Sequence, residues 1–248
     1  MQQYFVKGRP ENPLTIKDKD TLKHMFQVMR LKADDKVTLV FDDGIKRLAR
    51  VLNVDSQTFE ILQDLKDNVE LPVSVTIASG FPKGDKLDWL TQKATELGAD
   101  AIWAFPADWS VVKWDGKKLA KKEDKLAKIA LGAAQQSKRN RLPQVKLFEK
   151  KKDLLEQLPD FDKIFLAYEE SAKAGELSTL ASSLRQSQSG DKLLFIFGPE
   201  GGISPQELSQ FEKAGAIPVG LGPRIMRAET APLYALSAVS FYTELLKF

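Results

Sequence analysis

A continuous apolar run, Leu193-Leu194-Phe195-Ile196-Phe197, breaks abruptly on Gly198-Pro199-Glu200-Gly201-Gly202. Five apolar residues without polar alternation are the pattern of a strand covered on both faces, which belongs in a parallel sheet flanked by helices. Beyond the glycines, Ser204-Pro205-Gln206-Glu207 reads as a helix start, with Ser204 as N-cap, Pro205 in the first turn and Glu207 at the third helical position. The same order follows at once. Ala216-Ile217-Pro218-Val219-Gly220-Leu221 is a short strand-like run that feeds Gly222-Pro223-Arg224-Ile225-Met226-Arg227-Ala228-Glu229-Thr230-Ala231, and an apolar helix ends the chain. Strand, glycine-rich loop and helix, twice in succession, constrain this region to an α/β domain. In such domains ligands bind at the C-terminal ends of the strands.

Six of the 15 glycines fall between positions 198 and 222. Glycine is costly to order, so this density points to tight turns or close approach of backbone to a ligand, although such loops also serve merely to turn the chain. Neither loop carries G-x-x-x-x-G-K-[ST] or G-x-G-x-x-G, which argues against a mononucleotide or dinucleotide site of the usual kind.

Upstream, Val73 to Gly80 and Ala101 to Phe105 read as further strands, and Ile164 to Glu169 as a buried strand with its strand-end loop. Between the first two, Lys83-Gly84-Asp85-Lys86-Leu87-Asp88-Trp89-Leu90-Thr91-Gln92-Lys93-Ala94-Thr95-Glu96-Leu97-Gly98 places Leu87, Leu90, Ala94 and Leu97 on one helical face and Gly98 at its end. Lys83, Lys86 and Lys93 lie opposite, within reach of an anion. A long basic helix is expected from Lys117 to Gln136, with Ala127, Ala130, Leu131 and Ala134 inward. Leu177 to Arg185 and Pro232 to Phe248 are also expected to be helical. The last carries apolar residues around much of its circumference, which suits burial within its own domain or against a second copy.

The first 70 residues read differently. Lys36 to Phe41, Ile45 to Val54 and Gln57 to Leu62 are short strands separated by turn signals, the pattern of a small barrel or sandwich. A helix from Asp20 to Met29, capped by Asp20 or Thr21, precedes them, and Asn68 to Pro72 forms a linker.

Charge is distributed unevenly. Residues 113–152 hold 14 lysines and arginines against four acids, whereas residues 1–72 balance at 12 of each. Such a basic segment suits a polyanion, or is simply a solvated helix face. With no cysteine, thiolate catalysis, disulfides and cysteine-type zinc sites are excluded, and the single histidine, His24, cannot build a histidine zinc site. The N-terminal residues lack a signal-peptide pattern, and no stretch is long and apolar enough to span a bilayer, so a cytoplasmic location is expected.

Lys83–Gly98, Phe197–Glu207 and Leu221–Ala231 together resemble the motifs of the SPOUT-class RNA methyltransferases, most closely the ribosomal small-subunit RNA methyltransferase E family, which methylates the N3 nitrogen of a uridine. His24 to Arg30 resembles that family's His…Val-Leu-Arg segment. The resemblance implies an α/β fold in two domains. Residues 1–70 are expected to form a PUA-like β-barrel that binds RNA, and residues 73–248 a parallel-sheet domain with a trefoil knot around S-adenosylmethionine. It further implies a cofactor site at Leu166, Gly198, Pro199, Glu200, Gly201, Gly202, Leu221, Gly222, Ile225, Met226 and Arg227. Arg227 is expected to stabilise charge, and Glu200 or Glu229 to accept a proton. Capping or salt bridging between the loops is the alternative for these acids. RNA contacts are expected from Arg30, Lys83, Lys86, Lys138, Arg139 and Arg141. A homodimer, ribosomal RNA in an assembled small subunit as partner, and no metal complete the expectation. Gln3, Trp109 and Gln135 stand where the family carries charged residues, which leaves open a non-catalytic RNA-binding or ribosome-assembly factor on the same fold.

Overall fold

Two sheets organise the computed structural model, which describes residues 1–169 and 178–246. The chain divides into two compact units: Met1–Glu70 with Ala134–Arg141, and Leu71–Ala133 with Leu142–Phe248. The short segment 134–141, read in the sequence as part of the larger domain, therefore belongs to the first unit.

In the first unit, strands β1 (Gln3–Phe5), β2 (Leu14–Thr15), β3 (Lys36–Val40), β4 (Lys46–Asn53) and β5 (Thr58–Leu65) form one sheet in the order β1-β3-β4-β5-β2. β1 runs parallel to β3 and the other pairs are antiparallel. Register shifts at Leu48/Ala49 and Val51/Asn53 mark irregularities in the β4–β5 ladder, a device that bends and twists a sheet. Tyr4, Met25, Val37, Leu39 and Phe59 fill its core. Helix α1 (Lys19–Lys23) starts earlier than the sequence reading had it. Asp18 is the N-cap, its carboxylate accepting the Thr21 N–H at 2.8 Å, and from His24 to Val28 the chain winds as a π-helix. β1 and β2 are too short to carry a readable alternation.

Segment 134–141 is held by a buried polar cluster. The Arg139 guanidinium, 2% exposed, is clasped by the Glu70 carboxylate. Glu70 also accepts the N–H groups of Asn140 at 2.7 Å and Arg141 at 3.2 Å. Burial acts to raise the Glu70 pKa, but the hydrogen bonds and charge of Arg139, with those two amides, hold it below its ordinary value. The Gln3 side chain, itself buried, donates to the Arg139 carbonyl at 2.7 Å.

The second unit is built on six parallel strands: β6 (Ser74–Gly80), β7 (Ala101–Phe105), β8 (Gln144–Leu147), β9 (Lys163–Ala167), β10 (Lys192–Phe197) and β11 (Ile217–Val219), in the order β11-β9-β10-β6-β7-β8. Phe195 and Phe197 enter one core, with Leu87 and Leu90 of helix α2 (Lys86–Glu96) and Leu236 of helix α7 (Ala231–Ser240). Leu194 and Ile196 point the other way, to Phe211 of helix α6 (Pro205–Lys213). Two-sided covering is why β10 reads as an unbroken apolar run. Helix α3 (Gly116–Gln136) buries Leu119, Leu126, Ala130, Ala133 and Ala134; Ala127 is exposed and Leu131 only half-buried, so the expected inner face is corrected. Helices α4 (Lys151–Leu155) and α5 (Thr179–Arg185) also belong to this unit, Leu177 lying outside the described residues. After α7 the chain continues as a π-helical turn, Phe241–Leu246. Among the described residues no helix is long and apolar enough to cross a membrane.

Arg139→Ala should destabilise the first unit by about 3–5 kcal/mol, because it strands a buried carboxylate. Since the Glu70 pKa is depressed on folding, its stabilising contribution is present above the unfolded value and fades as pH falls through the folded one. Urea unfolding from pH 7 down to pH 3 reads both effects. An unchanged midpoint for Arg139→Ala at pH 7 refutes the structural role.

Candidate functional site

Strand order decides what the two glycine-rich loops meet. β11, β9 and β10 are immediate parallel neighbours, so the chain leaves Val219, Ala167 and Phe197 at one edge of the unit. The three departing segments surround a cavity of about 770 Å³, lined by Tyr168 and Glu169, by Gly198 to Ile203, and by Leu221 to Ala228.

The first loop is shaped by exclusion of side chains. The Gly202 N–H donates to the Pro199 carbonyl at 2.8 Å and closes a turn, with Gly202 at φ 82°. A Cβ on Gly198 would lie 2.5 Å from the Gly202 carbonyl carbon, closer than real contacts allow. Gly80, at the end of neighbouring β6, leaves room for Pro199, which a Cβ would meet at 2.6 Å. Gly201 is bounded by Trp109: its Cβ would fall 2.9 Å from the Trp109 Cβ. Backbone and an aromatic side chain, rather than a bound molecule alone, therefore require this glycine.

A buried carboxylate anchors the loop at its far end. Glu207 is fully buried in the first turn of α6, where Ser204 and Glu207 form a reciprocal capping box. Glu207 also accepts the Asp108 N–H at 2.8 Å and the Lys151 ammonium at 3.1 Å. Asp108 pairs with Lys151 at 2.6 Å and accepts the Ser204 hydroxyl. Burial works to raise the Asp108 pKa, while Lys151 and Ser204 hold it below its ordinary value.

The two loops are joined by one cation. The Lys86 ammonium lies 2.8 Å from Glu200 Oε1 and 3.4 Å from Glu229 Oε2. The Glu200 hydrogen bond leads in raising the Lys86 pKa. Glu200 also accepts the Lys83 N–H at 3.1 Å; against the opposing effect of burial, the Lys86 hydrogen bond and the backbone donors keep its pKa below the ordinary value. Glu229 Oε2 is buried, with the Lys86 ammonium as its ion-pair partner.

The expected cofactor residues converge with one exception. Gly198, Pro199, Glu200, Gly201, Gly202, Leu221, Gly222, Ile225, Met226 and Arg227 all line the cavity. Leu166 does not; its side chain is fully buried in the core with Leu194 and Ile196, and it is the following Ala167, Tyr168 and Glu169 that reach the cavity. Arg227 is exposed at the cavity, while Glu200 and Glu229 meet at Lys86, the salt-bridging alternative.

The expected RNA contacts separate. Arg30 is exposed at φ 55°, Arg141 is exposed, and Lys138 is exposed with its ammonium on the Met1 carbonyl at 3.0 Å. Lys83 is exposed in the second unit. Arg139 is corrected: its buried guanidinium is committed to Glu70 and is not open to a phosphate. Lys86 is corrected as well, its charge being held by two carboxylates. Sequence reading missed Phe197, Val219 and, as a lining residue, Trp109. Phe197 and Val219 were legible as strand ends; Trp109 had no local signal.

Sequence and fold are both similar to those of known proteins. A family model described as an RNA methyltransferase domain matches residues 69–240, and one described as an RNA methyltransferase PUA domain matches residues 16–62. The ribosomal RNA small subunit methyltransferase E of Bacillus subtilis (strain 168) is 43% identical over 253 aligned residues, covering 100% of this chain and 99% of that relative. Its counterpart from Mycobacterium tuberculosis is 30% identical, over 97% of this chain and 91% of the relative. Among solved structures, a ribosomal RNA small subunit methyltransferase E from Neisseria gonorrhoeae bound to S-adenosyl methionine superposes with a TM-score of 0.81 at 27% identity, covering 97% of each chain. With motifs, both domain models and full-length relatives in agreement, the chain belongs to the ribosomal RNA small subunit methyltransferase E family.

Proposed function

We propose that this protein transfers a methyl group from S-adenosylmethionine to the N3 nitrogen of a uridine in small-subunit ribosomal RNA. The observation that carries this reading is the meeting of three strand-end loops around one cavity of about 770 Å³, within the range usual for small-molecule sites. The lining fits the donor. Phe197, Val219, Leu221, Ile225 and Met226 supply apolar surface for an adenine and a thioether-like chain, and the Gly198–Gly202 backbone presents polar groups without side-chain obstruction.

When bound, the donor supplies a methyl group activated by its sulfonium. The chain's own tasks are to hold the uracil in line, to balance charge developing on its oxygens, and to take up the N3 proton. Arg227, exposed at the cavity, serves the charge. The two acids divide the remaining work. Glu200 is occupied by Lys86 and the Lys83 amide, and a carboxylate held below its ordinary pKa is the weaker base. It acts as the clamp between the loops. Glu229, held more loosely by the same ammonium at 3.4 Å and next in sequence to the cavity-lining Ala228, is the proton acceptor.

RNA is gripped largely through its phosphates by Arg30, Lys83, Lys138 and Arg141 together with the lysines of α3. The protein works as a homodimer through the C-terminal helix, where Tyr234, Phe241, Leu245 and Leu246 stay exposed in the single chain. One subunit's RNA-binding residues then serve the other's donor site.

Three results are expected. Calorimetry should show binding of S-adenosylmethionine and S-adenosylhomocysteine but not of ATP or NAD, with Gly198→Ala weakening the donor at least ten-fold (about 1.4 kcal/mol) by forcing the Gly202 turn open. Silence with both adenosyl compounds leaves only the RNA-binding-factor reading. Mass mapping of ribosomal RNA from a deletion strain should show one uridine lacking its N3 methyl group, and an unaltered small-subunit RNA refutes the assignment. Light scattering at micromolar concentration should give a dimer. Mixing the Gly201→Val protein with a Lys138→Glu, Arg141→Glu double variant should then restore part of the activity. A monomer ends the dimer proposal, and a dimer without rescue confines each site to one chain.

A further inference from the structure

Trp109 stands out in the second unit because the backbone on either side of it is held while its side chain is open. It is 48% exposed, yet it lines the cavity at the strand ends. Its Cβ occupies the space that a side chain on Gly201 would need, and its ring reaches toward Gly202, where an added Cβ would lie 4.0 Å away. The preceding residue is held by three partners: the Asp108 N–H donates to buried Glu207 at 2.8 Å, and the Asp108 carboxylate binds Lys151 and Ser204. The following residue is held too, the Ser110 N–H donating to the Ala107 carbonyl at 2.9 Å. An aromatic side chain rising from a backbone held this way costs less to order when something stacks on it.

The other aromatic side chains lining the cavity are not offered in the same way. Phe197 is buried in the core, and Tyr168 is half-buried. The proposed reaction supplies the need for such a surface. Uracil N3 lies on the base-pairing edge, so the base must leave its stack to be reached, and an extruded base requires a new stacking partner. Indole offers a large, sequence-tolerant one.

Resting on the methyl-transfer reading, we propose that Trp109 is the stacking platform that receives an extruded RNA base at the mouth of the donor cavity. It is a positioning residue: it touches the RNA and takes no part in the proton or methyl transfer. Its contribution carries no charge, so it resists salt where the phosphate contacts do not.

The test uses the full-length protein, tritiated S-adenosylmethionine, and small ribosomal subunits from a deletion strain. Relative to wild type, Trp109→Leu should raise KM for the subunits about 5- to 100-fold, while Trp109→Phe stays within about three-fold and donor affinity by calorimetry within about two-fold for both. The KM defect of Trp109→Leu should persist at raised salt. A wild-type KM for Trp109→Leu overturns the proposal. So does a parallel loss of donor affinity, which would make the ring a wall of the donor cavity. Should Trp109→Leu fail to fold, ultraviolet crosslinking of the wild-type protein to the same subunits decides. The peptide carrying Trp109 should gain the mass of a nucleotide, and crosslinks confined to other peptides overturn the proposal. If wild type binds no S-adenosylmethionine, the methyl-transfer reading falls, and the crosslink still judges the stacking surface by itself.

Discussion

The buried carboxylate of Glu207 is the constraint on which the site depends. A charge out of water is tolerated only when its partners are complete, and Glu207 draws its partners from three places in the chain. Ser204 and Asp108 each supply a backbone N–H and Lys151 an ammonium. Satisfying one side chain thereby fixes the start of α6, the loop that carries Trp109, and the start of α4. The glycine-rich turn between Phe197 and Ser204 is then pinned at both ends, by the sheet and by this cluster. Its shape is set before any ligand arrives, which is what a preorganised binding loop requires.

Lys86 plays a related part at the other rim. It arises from the first turn of α2, yet its ammonium meets acids from both glycine-rich loops. These pairs are partly open to water, so their worth lies less in stability than in geometry. They hold two loops, more than 20 residues apart in sequence, in one arrangement. The same contact sorts the two acids, holding Glu200 closely at 2.8 Å and Glu229 more loosely at 3.4 Å.

Much of this architecture is legible in the chain because it rests on local rules. β10 declares itself through two-sided burial, α6 through Ser204, Pro205 and Glu207, and the end of α2 through Gly98, whose φ of 93° favours glycine. The loops are visible as glycine clusters for the same reason. Long-range pairing is a different matter. Nothing near Arg139 in sequence reveals that its partner is Glu70, so a basic run reads as an RNA surface when its central residue is buried. The phase of α3 is obscured because lysines and alanines alternate with little apolar contrast. Trp109 reads as a lost charge, and its contact with Gly201 appears only in three dimensions. Leu166 shows the limit of resolution along a strand, where a shift of one residue separates core from cavity.

The bond between Glu70 and the 139–141 backbone also has a bearing on synthesis from N- to C-terminus. Strands β1 to β5 are all complete by Leu65, but the buried groups of Gln3 and Glu70 find their partners only at Arg139, Asn140 and Arg141. A nascent chain of 70 residues thus contains every strand of the first sheet but not the partners of Gln3 and Glu70. Three strands of the larger unit's sheet, β6, β7 and then β8 directly after the last of these partners, flank the closing segment in chain order. The first unit is therefore the first whose strands are synthesised, and its closing segment follows only after about a third of its successor has been made.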